Sequence, residues 1–515
     1  MAVLEETNDF LDSEIRFHDK QRFEMKLDIE LSSPEKNSYK VETYFFVPKA
    51  LDIGPRTYSK TDFYNNTQRY IRFKTPQMSL LELIDPDIEI SPFNRIRKKT
   101  ALILEGNKNI KNVNSVYSEF KLFGCMIKSE LKDYGSFFIR ELEKVSGSES
   151  QENYSSLAKN LTVFIENSKK LISQVDILRL KLSQPLIPLK IKEAFSFFEE
   201  YFSLITEEAF TYLLDAVKKT AYGEAFAECE KEAIGIISSQ NKFRRDNNYF
   251  SFIKDERHNE VFVYRRSVLK KFISSVLYLK VEISERKALS QILFGIAAGL
   301  AMLFAVIATI YAQSRFSLNS LPFVLIIIVS YVFKDRIKDG LKLLFSKSMV
   351  KWISDRQVEI LDPLNDKKIG ILKEAFSFIS NSSAGGDILK IRNVDNITSI
   401  DEDGKPERVF KYEKKVVIFP RKILKFHERR KDISDIMRFN IGGFAAHADD
   451  SLVKHRYLDN EAGNIKTAIC PRVYHINVIV KYTRQGAGQN EKIDYDRIRI
   501  ILSKDGIARI EEVKI

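Results

Sequence analysis

Cysteine is scarce in this 515-residue chain: Cys125, Cys229 and Cys470 stand far apart, an odd number with no C-x-x-C pair. Such a set offers neither a disulfide framework nor a cysteine-based zinc site, and a reducing compartment fits it best. Catalytic signatures are missing as well. No G-x-x-x-x-G-K-[ST], G-x-S-x-G or H-E-x-x-H occurs, which leaves out the phosphate-cradling loop, the strained nucleophile turn and the helical zinc-protease pair. The opening stretch MAVLEETNDFLDSEIRFHDK lacks the basic and apolar regions of a secretory leader, so the segment before residue 288 is expected to stay on the side where it is made. Negative charge is in deficit: 82 Lys and Arg against 70 Asp and Glu leave a formal charge of +12, which favours anionic partners such as lipid headgroups or nucleic acid.

What the chain has instead is the run ILFGIAAGLAMLFAVIATIYAQSRFSLNSLPFVLIIIVSYVF, from Ile292 to Phe333. Ala288 to Ala312 contains no charged residue, and at about 1.5 Å per residue a helix of that length exceeds the roughly 30 Å hydrocarbon core of a bilayer. A second uncharged stretch, 316–333, follows after a short polar link. The expectation is a two-helix transmembrane hairpin, with a buried hairpin of a large soluble core as the alternative. Lys280, Arg286 and Lys287 precede it, and Lys334, Arg336, Lys338, Lys342, Lys347 and Lys351 follow, while only Arg315 lies between the spans. Positive flanks stay inside, so both termini of a multi-pass protein of the cytoplasmic membrane are expected in the cytoplasm. Gly295 and Gly299 form a G-x-x-x-G, and Ala301 and Ala305 continue small residues nearby, a face suited to close helix packing or to a homo-oligomer. Neither span carries Asp, Glu, Lys, Arg or His, which disfavours a transporter.

Outside the spans the pattern is α+β. FEMKLDIEL alternates apolar and charged residues as a half-buried strand does, and VETYFFV repeats the signal, so the two are expected to form a hairpin within a β-rich segment, 1–80. A helical cytoplasmic domain, 81–285, follows, with apolar residues at three- and four-residue spacing, and its last helix is expected to run into the first span. The hairpin occupies 286–334. Juxtamembrane helices, 335–380, begin with an amphipathic stretch suited to the interface, where Trp352 could anchor. NSSAGGD, 381–387, reads as a flexible break before a C-terminal β-rich domain, 388–515, in which VYHINVIVKYTR, YDRIRIIL and IARIEEV are strands and SKDG is a turn.

Two stretches suggest chemistry. GGFAAHADDSLVKH brings His447, Asp449 and His455 close in sequence, residue types that ligate zinc or iron when they converge; Gly442 and Gly443 in it belong to no phosphate-loop pattern. Polar loops of this kind are more often solvated, so no metal or cofactor is expected. RKILKFHERRK places Arg421, Lys422, Lys425, Arg429, Arg430 and Lys431 beside Ile423, Leu424 and Phe426, a composition suited to anionic headgroups, with an ordinary solvated face as the alternative. Nucleic acid is the less favoured partner. Together these features predict a bilayer-embedded, non-enzymatic protein whose cytoplasmic domains bind or sense an unknown cytoplasmic protein or ligand. A membrane-tethered hydrolase using the His/Asp loop and an oligomeric pore or effector are the alternatives.

Overall fold

The computed structural model describes residues 11–29, 31, 37–106, 109–146, 151–220, 223–253, 259–284, 287–317, 320–352, 354–363, 366–396, 406–429, 432–459, 464–485 and 492–515. The fold mixes helix and sheet. In chain order the elements are β1 (Leu11–Asp19), β2 (Arg22–Ile29), β3 (Asn37–Pro48), α1 (Lys60–Asn66), β4 (Thr67–Phe73), α2 (Leu80–Ile84), α3 (Pro92–Leu104), α4 (Ile110–Ser146), α5 (Gln151–Leu182), α6 (Leu189–Lys218), α7 (Ala227–Asp246) and α8 (Asn259–Ser274). Then come β5 (Lys280–Ser284), α9 (Lys287–Arg315), α10 (Leu321–Trp352), β6 (Arg356–Leu361), β7 (Lys368–Ile379), α11 (Gly386–Asn393), β8 (Glu407–Ile418), β9 (Ile433–Asn440), β10 (Leu452–Leu458), β11 (Ile465–Pro471), β12 (Tyr474–Gln485), β13 (Lys492–Ser503) and β14 (Gly506–Glu512).

The contacts group these elements differently from the contiguous segments read off the sequence. One unit joins residues 1–71, 279–427 and 431–515; the other holds 72–278 with 428–430. The first unit is built on an eight-stranded sheet, ordered β14-β13-β12-β3-β8-β7-β6-β5, and a four-stranded sheet, β1-β2-β9-β4. The expected β2–β3 hairpin is therefore replaced. β2 pairs with β1 and β9, whereas β3 lies between β8 and β12 in the other sheet. The reason is visible in VETYFFV: Thr43, Phe45 and Val47 alternate with Tyr44 and Phe46, and both sets are buried, which suits a central strand covered on both faces. The three C-terminal strands β12, β13 and β14 form as the alternation and the SKDG turn require, but they complete the sheet that β3 begins.

Aromatic side chains fill this unit. Phe45 stacks on Phe410 with centroids 4.5 Å apart, Phe63 stacks on Phe376 at 4.5 Å, and Phe23 meets Phe439 at 5.7 Å. All six rings are at most 2% exposed. Two ionic clusters share this interior: Lys414 pairs with Asp435, which also accepts from the Tyr39 hydroxyl at 3.0 Å, and Arg69 pairs with Glu374, which accepts from Tyr412.

The helix pair α9–α10 is inserted between two adjacent antiparallel strands. β5 and β6 register from Lys280 against Leu361 to Ser284 against Gln357. The chain thus leaves and re-enters the sheet at neighbouring positions. Re-entry is anchored by Asp355, which accepts from Lys60 Nζ at 2.6 Å, Tyr64 at 3.1 Å and the Phe376 amide at 2.7 Å. The helix before β5 is consequently not continuous with α9. Val281 and Ile283 form a strand instead, because a β-branched, alternating stretch can pair with β6. NSSAGGD is likewise a structured turn: Gly385, at φ 92°, joins a 3-10 turn to α11, whose Ile388 and Ile391 pack on Tyr44, Phe46, Val409 and Ile479.

The second unit is helical. It is bracketed by a short β-contact, with Phe73 N donating to Leu277 O at 2.8 Å and Arg72 bridging Tyr278. α4 packs on α3, α6 and α8, and α6 packs on α7. α6 carries Glu199 and Glu200 into the interior, where Arg179 holds Glu199 at 2.7 Å and Arg265 grips Glu200 through several N–H bonds of 2.5–3.1 Å. Arg244, 1% exposed, pairs with Glu207 and donates to Ser203 at 2.9 Å.

Two predictions follow from the first unit's interior. Asp435→Ala strands the Lys414 ammonium in an apolar site and is expected to cost about 3–5 kcal/mol, measured by denaturant unfolding, with Lys414→Met restoring much of it. Burial pushes the Tyr39, Tyr58, Tyr64 and Tyr412 phenols up, with Asp435 adding to the shift at Tyr39 and Asp355 at Tyr64. Because these folded values lie above the unfolded phenol value near 10, the stability they carry is complete below about pH 10 and is lost as the pH rises beyond it. In an ultraviolet phenolate titration these tyrosines should ionise only together with unfolding.

Candidate functional site

Within α9, Phe294–Arg315 is 22 residues long and apolar enough to cross a bilayer, yet only 17% of its apolar window is buried. Phe294, Leu303, Phe304, Ile307, Ile310 and Tyr311 all face outward. A soluble protein rarely leaves so continuous an apolar surface uncovered. Among the described residues this is the one helix that meets the criterion. The stretch 316–333 falls short because its helix begins only at Leu321, leaving 13 residues to Phe333, or about 20 Å of apolar helix. α10 then continues unbroken to Trp352 through Lys334, Arg336, Lys338 and Lys342. The amphipathic stretch expected to lie separately in the interface is thus part of the same helix as the apolar stretch expected to be the second span, and the side chain of Trp352 lies outside the described residues.

The two helices pack along one another through alanine. Ala297, Ala301, Ala305 and Ala312 are buried, and on α10 so is Ser330. Small residues at four-residue spacing let the backbones approach closely. Gly295 and Gly299 turn elsewhere: both are exposed, and a methyl group added at either would meet nothing within 4 Å. Lys342 Nζ lies 5.8 Å from the Phe294 ring, so the charged half of α10 runs beside the start of the apolar segment of α9.

The His/Asp loop does not converge. His447 is exposed after the turn Gly442–Ala445, and His455 lies on β10, opposite Ala468. Asp449 is engaged by Tyr474 at 2.9 Å and Arg472 at 3.0 Å, and Asp450 by Lys504 at 2.6 Å, which holds the Asp450 carboxyl below its ordinary range. Among the described residues no group of three or more His, Cys, Asp or Glu could hold a metal ion. A buried histidine–carboxylate contact lies elsewhere, between His427 Nε2 and Asp362 Oδ1 at 3.1 Å.

The basic stretch is divided between surface and interior. Arg421, Lys422 and Lys425 are exposed on the short helix Pro420–Phe426, with Lys422 Nζ donating to Lys368 O at 3.2 Å. Arg429 is instead buried against Glu119 at 2.5 Å, both side chains 8% exposed, so it is not presented to a surface ligand. Arg430 and Lys431 lie outside the described residues. Two features carried weaker sequence signals. Hairpin β10–β11 stands as a separate two-stranded sheet, exposed along nearly its whole length. The run NRIRKK puts Arg95, Arg97, Lys98 and Lys99 on α3, beside a cleft.

The alanine interface makes a prediction. Ala301→Leu forces four-carbon bulk between α9 and α10 and should separate them, read as loss of a cross-link between engineered cysteines on the facing helices. Gly295→Ala and Gly299→Ala have open space and, as helix-interior glycines, are expected to be neutral or to stabilise by up to about 1 kcal/mol each. Comparison of the chain with protein-family models, curated proteins and solved structures finds no match to any of them, so its function has to be argued from its own residues.

Proposed function

We propose that the protein is a two-span integral membrane protein whose soluble units share the cytoplasmic side and act as non-catalytic binding or sensing modules. The observation that carries this reading is the β5–β6 pairing at the base of an outward-facing apolar helix. Hydrogen-bonded strands occupy one side of a membrane, so the chain between them crosses an even number of times. Since α9 is long enough to cross once, the return falls to Phe316 and Leu321–Phe333, with Lys334 reaching the interface by its long stem.

Orientation follows from charge. Lys280 lies ahead of α9 and Lys287 opens it, Lys334, Arg336, Lys338 and Lys342 follow the apolar part of α10, and Arg315 is alone at the turn, a bias that favours both stems in the cytoplasm. The exposed cations Arg421, Lys422 and Lys425 suit anionic headgroups, each contributing about 1 kcal/mol near such a surface. With Asp449 and Asp450 each engaged by cations, binding is favoured over a His/Asp hydrolysis.

The test is extraction and labelling. The protein should stay in the membrane pellet after alkaline carbonate washing. In a cysteine-free background, a thiol at Ser317 should react with an impermeant reagent on intact cells and one at Ser382 only after lysis. Release by carbonate, or labelling of Ser382 on intact cells, would refute the reading.

A further inference from the structure

We propose that the helical unit holds a polyphosphate-binding site: a cleft of about 970 Å³ beside α3, lined by Arg95, Arg97, Lys98, Lys99 and Lys181, takes a chain of linked phosphates, free or as part of a nucleoside triphosphate. The site lies wholly in that unit and is independent of the membrane reading.

Five cations line the cleft against two carboxylates, Glu89 and Glu428. Glu428 is taken by Arg95 at 2.6 Å, and Glu89 touches Lys98 at 3.9 Å with both side chains well exposed. Among the described residues Arg97, Lys99 and Lys181 form no ion pair; Arg97 rests over the Phe93 ring at 5.8 Å, and Lys99 reaches the Ser115 hydroxyl. Lys99 is half-buried, and burial together with the charges of Arg95 and Arg429 pulls its ammonium below its ordinary value, against the opposing pull of Glu119. A polyanion in the cleft supplies the missing counter-charge for all three.

The volume is at the upper end of small-molecule sites, which run to about 1,000 Å³, and far exceeds one orthophosphate. Cations arrive from two helices, α3 and the end of α5, so one ligand can be held from two elements. The wall is preorganised. Asn94 Nδ2 donates to Asp85 O at 2.6 Å and Ile88 O at 3.0 Å, and Ser91 caps α3 through the Phe93 amide at 3.2 Å while donating to Leu83 O. No aromatic ring is among the lining residues, and stacking is what single-stranded nucleic acid uses for grip. Pro86, Ile90 and Ala101 offer only a small apolar wall. A short phosphate chain fits this chemistry better than a nucleic acid strand.

The experiment is calorimetric titration of the full-length protein in detergent with sodium tripolyphosphate, ATP and orthophosphate, at two salt concentrations. Tripolyphosphate is expected to bind at least tenfold more tightly than orthophosphate, and more weakly at higher salt. The triple variant Arg97→Gln, Lys98→Gln, Lys181→Gln should lose at least tenfold of that affinity. These side chains are partly or fully exposed, so folding should be preserved, checked by circular dichroism. The charge-matched control Lys132→Gln, Lys159→Gln, Lys170→Gln, all exposed elsewhere on α4 and α5, should change it less than twofold. ATP binding as tightly as tripolyphosphate identifies the phosphate chain as the recognised part; ATP binding more tightly adds the apolar wall to the same site. Absence of tripolyphosphate binding, equal losses in the two triple variants, or a single-stranded oligonucleotide outcompeting tripolyphosphate at equal phosphate concentration would overturn the proposal. Because the readout does not involve the bilayer, its failure and that of the two-span reading are separable.

Discussion

The hydrogen bonds between β5 and β6 constrain the rest of this protein more than any other contact. They tie residue 280 to residue 361 across everything inserted between them, including the one helix among the described residues that is long and apolar enough to cross a bilayer. Any route taken by α9 and α10 must bring the backbone home to the same sheet edge. Asp355 reinforces this by collecting three donors at the point of return. The paired strands at the two ends of the α9–α10 insertion limit its geometry in advance.

Around that edge the first unit is interleaved rather than modular. β3 lies between β8 and β12, so segments from the beginning, middle and end of the chain meet in one sheet. The Phe45–Phe410 and Phe23–Phe439 contacts carry the same long-range connections into the core. The Lys414–Asp435 pair joins β8 to β9 and hence one sheet to the other. Apolar burial supplies the drive, and the buried charges fix which strands lie opposite, because a slipped register leaves an ion unpaired.

Much of the local structure was legible. The alternation in FEMKLDIEL, VYHINVIVKYTR and YDRIRIIL marks real strands, and three- and four-residue spacing marks the helices of the second unit. Pairing was not legible, because alternation tells which face of a strand is buried and not which strand lies beside it. Charge counting placed an apolar stretch at 316–333, but the helix needs Leu321 to begin, so length in residues overstated length in ångströms. Among site residues, proximity in sequence misled: Asp449 and His455 are six positions apart, yet Asp449 is held by Arg472 and Tyr474 while His455 sits out on β10. Arg429 reads as one of a surface run and is paired with Glu119, 310 residues upstream, which no local pattern can reveal. The NRIRKK run was passed over in the sequence, where it is one short basic stretch among many; only the fold shows that it borders a cleft.

The position of β3 also sets a timetable on the ribosome. Its strand neighbours begin at Glu407 and Tyr474, so at roughly 5–20 residues per second β3 waits tens of seconds after Pro48 emerges before its first partner exists. The helices of the second unit, within 72–278, are all made long before that, and α9 also emerges before β8 does, whereas the 428–430 segment of that unit arrives after β8. Strands rich in phenylalanine and valine, held open that long, are ready templates for wrong pairing. β3 therefore has to stay unpaired until first β8 and then β12 have been made.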